Sequence, residues 1–106
     1  MRLLSPLLLV FPSDPTLTVE NVMKVMGEVQ DWERVGTWLG VTKSKLQEIK
    51  QQALSERDKS HSLGRHWVNT DQNASWVKLG RVLYDEKEWT AVTMVKQYLP
   101  TGVCIT

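Results

Sequence analysis

The stretch Asp31–Val41 reads DWERVGTWLGV and has the pattern of one short, capped helix. Asp31 is a good N-cap residue, and apolar residues then recur at helical spacing over Trp32–Leu39. Gly40 predicts a left-handed residue that ends the helix. Gly36 lies inside it and costs about 1 kcal/mol relative to alanine, so we expect another backbone to pass close to that position.

Amphipathic segments of the same kind lie on both sides of this stretch, each bounded by residues that cap or break helices. No segment shows sustained period-2 alternation, so no sheet is expected. Six short helices with one apolar stripe each predict an all-α, antiparallel six-helix bundle. We predict a loop over the second half of 51–60 and helices at Thr18–Val29, at Trp32–Leu39, after Thr42, from Ser60 or Ser62, after Asn73, and at Glu88–Leu99.

The bulk composition is that of one ordinary globular domain. The chain has 106 residues, of which 42% are hydrophobic and 24% charged, which argues against intrinsic disorder. The formal net charge is +1, so the chain lacks the basic excess of most nucleic-acid binders, and no nucleic-acid partner is expected. The single cysteine, Cys104, cannot form an internal disulfide, which favours a reducing, cytoplasmic location.

The ends of the chain differ from its centre. Met1–Pro12 is apolar and loosely resembles the core of a signal peptide, but Pro6 interrupts it and no small-residue cleavage pattern follows. It is also too short to span a membrane, and no membrane partner is expected. We therefore predict an N-terminal arm over residues 1–16, a helical domain over residues 17–100 and a tail over residues 101–106.

Three stretches, taken in order and spacing, resemble the death domain family. Asp31–Val41 resembles the family's second helix, Leu63–Trp67 its fourth, and Asn73–Leu83 its fifth, a capped A-x-W-x-x-L-x-x-x-L. The resemblance extends over Leu17–Leu99. The chain departs from the family pattern at three glycines, where the family commonly has alanine or leucine: Gly36, Gly64 and Gly80.

The resemblance implies a Greek-key order of the six helices and a non-enzymatic adaptor. Its expected partners are other death-fold domains in apoptotic or innate immune signalling, bound through several unlike surface patches. Family patterns place contacts on the second and third helices, and partner contacts on the first and fourth. Carried over to this sequence, the two sets are Glu33, Arg34 and Lys43, and Asn21, Lys24 and Arg65.

The five tryptophans divide into two groups. Trp32, Trp67 and Trp76 fall on apolar faces, which indicates core packing. Trp38 lies off the main stripe of the second helix, and Trp89 lies at the start of the last helix, after an acidic turn. Both are candidate interface anchors, because a half-exposed indole buries a large area at low entropic cost. The alternative is that each covers an edge of the core.

Charged residues form two local clusters of opposite sign. Opposite patches on one molecule favour head-to-tail contacts between copies, although most such clusters are simply solvated surface. The basic cluster, around the third helix, holds Lys43, Lys45 and Lys50, and the acidic cluster, in the turn before the last helix, holds Asp85, Glu86 and Glu88.

Other functional classes have weaker support. His61 and His66 are five residues apart, which is the wrong spacing for metal ligands on one helical face, and no nucleophile–base set or glycine-rich phosphate loop occurs. No catalytic, cofactor or metal site is therefore expected. The main alternative is a helix-turn-helix DNA-binding domain, in which Lys43 and Lys45 would enter the groove; Glu48 and the balanced charge oppose it. An inert structural domain is the third possibility.

Overall fold

The computed structural model describes residues 15–99, and the described part holds six α-helices and no strand. The all-α, six-helix prediction is confirmed. Met1–Pro12 and Cys104, for which an arm and a tail were predicted, lie outside the described residues. The helices are α1 (Val19–Met26), α2 (Trp32–Trp38), α3 (Lys43–Lys50), α4 (Glu56–Thr70), α5 (Trp76–Asp85) and α6 (Trp89–Lys96).

The predicted starts of the first three helices are confirmed by their caps. The side chains of Thr18, Asp31 and Thr42 each accept a hydrogen bond from the backbone N–H three residues later, at 3.1, 3.3 and 3.2 Å. Each bond satisfies one donor that the helix itself cannot pair. The predicted stop after α2 is also confirmed, because Gly40 has a φ of +89°.

The predicted start of α4, at Ser60 or Ser62, was wrong. The helix begins at Glu56, after Ser55, whose hydroxyl accepts a backbone hydrogen bond at 3.1 Å. The first turn of α4 is exposed, so it carries no apolar period that sequence could show. A contact with α2 helps to position this first turn, because the Trp32 indole N–H donates a hydrogen bond to the Glu56 carboxylate at 3.2 Å.

The predicted cap of α5, Asn73, was also wrong. Ser75 caps this helix by accepting a hydrogen bond from the Lys78 N–H at 3.0 Å. Asn73 belongs to the preceding turn, where its own N–H donates to the Asp71 carboxylate at 2.9 Å. Asn73 and Ser75 could each cap this helix, and Ser75 does so because Asn73 is engaged in the turn that begins at Asp71.

Two helices end three residues earlier than predicted. α1 stops at Met26 instead of Val29, and α6 stops at Lys96 instead of Leu99. Beyond each end the backbone continues in short turns whose N–H groups bond carbonyls three residues back, which prolongs the apolar pattern without prolonging the helix. Val29 is therefore buried although it is not helical.

The core lies where the helix pairs cross. α1 packs along α4 and also touches α6, α5 packs on α6, and α2 contacts α3, α4 and α5. Contacts between helices that are distant in sequence are what the predicted Greek-key order requires. Trp32, Trp67 and Trp76 are at most 3% exposed, so their assignment to the core is confirmed.

Gly36 makes room for side chains, not for another backbone as predicted. A Cβ added there would lie 2.7 Å from Leu46 Cδ2 and 2.9 Å from Leu63 Cδ1. A Cβ at Gly64 would lie 2.8 Å from Met26 Cγ. Gly36 and Gly64 are two of the positions at which the chain departs from the family pattern. Gly36 allows α2 to lie close to α3 and α4, and Gly64 allows α4 to lie close to α1, and neither position has space for a methyl group.

Asp71 ties the end of α4 to α5 through three hydrogen bonds. Its carboxylate accepts from the Trp67 indole N–H at 2.9 Å, from the Lys78 ammonium at 2.5 Å and from the Asn73 backbone. The Lys78 hydrogen bond is the main reason that the pKa of Asp71 lies below its ordinary value. Ionised Asp71 is therefore favoured in the folded state.

Replacing Asp71 with alanine should lower the free energy of unfolding by about 2 kcal/mol at pH 7, because the buried indole N–H of Trp67 loses its acceptor. A carboxylate whose pKa is lowered on folding stabilises above its unfolded pKa, and the effect is lost as the pH falls through the folded pKa. Urea unfolding between pH 7 and 2 should therefore show the difference between wild type and Asp71→Ala shrinking in acid. A difference that stays constant over this range would contradict this role.

Within residues 15–99, no helix is both long and apolar enough to cross a bilayer.

Candidate functional site

A groove between α2 and α3 brings together three of the residues assigned to partner contacts. Glu33 and Arg34 of α2 face Lys43 of α3 across a cavity of about 500 Å³. Leu46 contributes to its wall, together with the polar residues Thr37, Ser44 and Gln47. A shallow surface groove with charges of both signs on its sides is better suited to a protein partner than to a small ligand, because small ligands usually bind in enclosed cavities.

Trp38 stands exposed at the C-terminal end of α2, one helical turn after Arg34. Its side chain is 64% exposed, the largest exposure among the large apolar residues of the described part. Leaving an indole in water forgoes the stabilisation that its burial would give. Such a residue is typical of an anchor that a partner covers.

The basic cluster on α3 is smaller than the sequence indicates. The Lys45 ammonium lies 2.8 Å from the Glu48 carboxylate, whose pKa it lowers through this hydrogen bond, and Lys50 lies 3.6 Å from Glu33. Within residues 15–99, Lys43 makes no ion pair. Lys43 is therefore the cation of this cluster that is available to a partner without breaking an existing contact.

The acidic cluster before α6 is largely engaged inside the molecule. Glu88 is 9% exposed, and its two oxygens accept hydrogen bonds from the backbone N–H groups of Gln30 and Asp31 at 3.0 and 2.9 Å. Glu86 accepts from Arg34 Nε at 2.7 Å. Two residues that the sequence placed in different patches thus pair with each other, and the head-to-tail prediction now depends on Lys43 and the exposed Asp85.

The α1–α4 face holds the other predicted contacts, and the structure separates their roles. Asn21 holds the chain before α1, because its side-chain amide donates to the Thr16 carbonyl at 2.9 Å. Lys24 and Arg65 are exposed and line two adjoining cavities that share Met23 and His61. Sequence reasoning missed Arg57, which lines the same face from the exposed first turn of α4 that was predicted to be loop.

Trp89 is paired with a neighbour that sequence reasoning also missed. Its side chain is 53% exposed and meets the ring of Tyr84 edge to face, with ring centroids 5.2 Å apart and planes at 79°. The contact joins the end of α5 to the start of α6 across the turn. An edge-to-face contact of this kind favours one orientation of the Trp89 indole.

The histidines do not form a chemical centre with neighbouring groups. His61 Nδ1 lies 3.9 Å from the Asp58 carboxylate on the α1–α4 face, while His66 lines a different cavity beside α3. Burial, reinforced by Lys45, lowers the pKa of His66. In the described part of the chain, no three His, Cys, Asp or Glu side chains are placed to hold a metal ion.

A six-helix bundle with exposed tryptophans and unpaired cations on separate faces is a domain built for contact with other proteins. The family model of the death domain matches residues 18–99, so the chain belongs to the death domain family. Members of this family are interaction modules and not enzymes. No curated protein and no solved structure gave a match to the chain.

Proposed function

We propose that this chain binds other death-fold domains through the α2–α3 groove and Trp38, and so builds signalling oligomers of apoptosis or innate immunity in the cytoplasm. The observation that supports the proposal most is the groove itself, where Glu33, Arg34 and Lys43 converge. Thr37, the residue before the exposed Trp38, also lines it. Family membership supports the class of partner.

The mechanism is one of mass action. Burial of Trp38 supplies affinity, whereas pairing of Lys43 with an acidic partner selects among related domains. Each patch is small and its charges are exposed, so a single contact is weak. Several weak patches become effective when many copies are held close together, which is how an adaptor responds to clustering of its partners.

The folded unit of this function is residues 17–100, with an arm before it and a tail after it. The end of the arm already touches the bundle, because Thr16 Oγ1 accepts a hydrogen bond from the Trp76 indole N–H at 2.8 Å. Tyr98, near the other end of the unit, stacks on the same indole at 4.4 Å. Trp76 therefore contacts the end of the arm and a residue near the C-terminal end of the unit.

Reversing Lys43 and Lys45 to glutamate should weaken assembly with death-fold domains at least tenfold and leave the melting temperature within about 2 °C. Lys43 is exposed, and the ion pair of the half-buried Lys45 with Glu48 lies at the surface, so the change affects the partner surface far more than the fold. Static light scattering against concentration measures assembly, and Lys96→Glu, an exposed charge reversal on α6, is the control. Unchanged assembly of the double variant would show that the basic patch has no role.

The DNA-binding alternative makes a different prediction for the same variant. A helix-turn-helix domain would bind duplex DNA in a salt-dependent way, and the double reversal would abolish that binding. The ion pairs of Lys45 with Glu48 and of Lys50 with Glu33 reduce the charge that α3 can offer to phosphates. Salt-dependent retardation of duplex DNA near physiological ionic strength would favour this alternative over ours.

A further inference from the structure

The two adjoining cavities on the α1–α4 face form what we call the basic groove. It carries three cations that make no ion pair within residues 15–99: Lys24, Arg57 and Arg65. Glu20 and Asp58 also line it, so cations outnumber carboxylates by one. Its apolar surface is provided by Met23 and by Leu54, which is 43% exposed.

A second groove of about 290 Å³, which we call the acidic groove, lies between the α1–α2 loop and the start of α6. It is lined by four carboxylates and one ammonium, and the exposed Trp89 forms part of its wall. Arg34 neutralises Glu86, and two backbone N–H groups hold the buried Glu88, so the exposed negative charge of this groove comes from Glu28 and Asp31. The four acids are Glu28, Asp31, Glu86 and Glu88, and the ammonium is that of Lys87.

The two grooves lie side by side at the C-terminal end of α1. A Cβ at Gly27 would lie 2.7 Å from His61 Nε2 and 3.2 Å from Arg57 Nε, so these basic-groove side chains cover Gly27. The next residue, Glu28, lines the acidic groove. The two grooves therefore adjoin at Gly27–Glu28, and we call them the basic half and the acidic half of this surface.

Two adjoining grooves of opposite charge are complementary to the same pair of grooves on a second copy of the chain. A two-fold axis along the border places the basic half of each copy over the acidic half of the other, so every charge contact occurs twice. We propose that this face joins two copies of the chain in a closed, two-fold dimer. The inference rests on the proposed function in taking a domain of the same kind as the partner, but it uses a surface separate from the α2–α3 groove.

Trp89 is the anchor of this dimer. It protrudes from the acidic half, and the basic half of the second copy offers Met23 and Leu54 as an apolar seat with arginines at its edge. Thioether and guanidinium groups both interact favourably with an indole ring. The edge-to-face contact with Tyr84 favours one orientation of the indole before the copies meet. The pairing of Glu28 with Arg57 of the other copy sets the register.

Sedimentation velocity over a concentration series tests the dimer with charge reversals that the fold should tolerate. Arg57→Glu places a negative charge in the first turn of α4, and Glu28→Lys places a positive charge just after α1, and both suit the helix dipoles. Each variant alone should weaken dimerisation about tenfold or more, because both copies of the contact become repulsive. Trp89→Ala should weaken it similarly while the melting temperature changes little.

The two reversals should compensate for each other. The variant Arg57→Glu/Glu28→Lys, and an equimolar mixture of the two single variants, should dimerise again, whereas Lys96→Glu should behave as wild type. Sedimentation coefficients that rise to the dimer value and stop there support the closed dimer. These measurements are made in the Lys43→Glu/Lys45→Glu background, which removes the α2–α3 contact. In that background, a monomer at all concentrations, an assembly that keeps growing, or reversals without effect or without compensation would overturn the closed dimer. Binding of other death-fold domains through Lys43 would survive each of these failures, so the two proposals fail separately.

Discussion

Replacing Glu88 with alanine should lower the free energy of unfolding by about 3 kcal/mol at neutral pH. The substitution removes the one acceptor of two backbone N–H groups, those of Gln30 and Asp31, at a site that is 9% exposed. Hydrogen bonds to a charged group contribute about 1.5–3 kcal/mol each, and the orphaned donors lose water as well. Urea denaturation followed by tryptophan fluorescence measures the loss.

Two companion variants separate the hydrogen bonds from the charge. Glu88→Gln keeps one acceptor oxygen and should lose roughly half as much stability as the alanine variant. Asp85 is the exposed last residue of α5, and its carboxylate accepts no hydrogen bond within the described residues. Asp85→Ala should therefore change stability by less than about 0.5 kcal/mol. If Glu88→Ala costs as little as Asp85→Ala, the carboxylate does not hold the α1–α2 loop.

Replacing Gly36 with valine should destabilise the protein by about 3 kcal/mol, despite the better helix propensity of valine. The new Cβ alone would lie within 3 Å of methyl groups of Leu46 and Leu63, and two further methyl groups have nowhere to go. Leu63 is fully buried and cannot turn away. Overpacking of this degree costs about 1–3 kcal/mol or more.

Shortening the neighbouring Leu46 side chain tests whether steric overlap causes this destabilisation. In the background of Leu46→Ala, the Gly36→Val substitution should cost at least about 1 kcal/mol less than it does in wild type, because the closest methyl group is gone. Gly40→Ala gives a contrast: its φ is +89° and no atom lies near, so its cost should be backbone strain that Leu46→Ala does not relieve. Equal costs of Gly36→Val in both backgrounds would contradict the packing explanation.

Local signals were enough to predict most helix starts. Thr18, Asp31 and Thr42 cap the helices that follow them because a side-chain oxygen and the N–H three residues later are always neighbours at a helix start. The start of α4 was missed because its first turn is exposed on all sides. Its cap, Ser55, stands in a polar stretch without apolar period, and the Trp32–Glu56 contact joins residues 24 positions apart.

The candidate site was less predictable, because its contacts also join residues that are far apart in the sequence. Sequence showed which residues are charged, but not that Arg34 meets Glu86 or that Glu88 reaches the α1–α2 loop, contacts over more than 50 positions. Such contacts depend on how the helices cross, so a local charge count overstated both patches. The exposure of Trp38 and Trp89 could be anticipated from local position, because Trp38 lies off the apolar stripe of its helix and Trp89 begins a helix after an acidic turn.

The central claim is that other death-fold domains bind the α2–α3 surface of this chain. The direct measurement is NMR spectroscopy of the isotope-labelled chain during titration with purified death-fold domains. We predict saturable shifts of the amides of Glu33, Trp38 and Lys43 and their neighbours with at least one domain, and their loss after Lys43→Glu/Lys45→Glu. An unchanged spectrum with every domain, or shifts at this surface on addition of duplex DNA alone, would contradict the account.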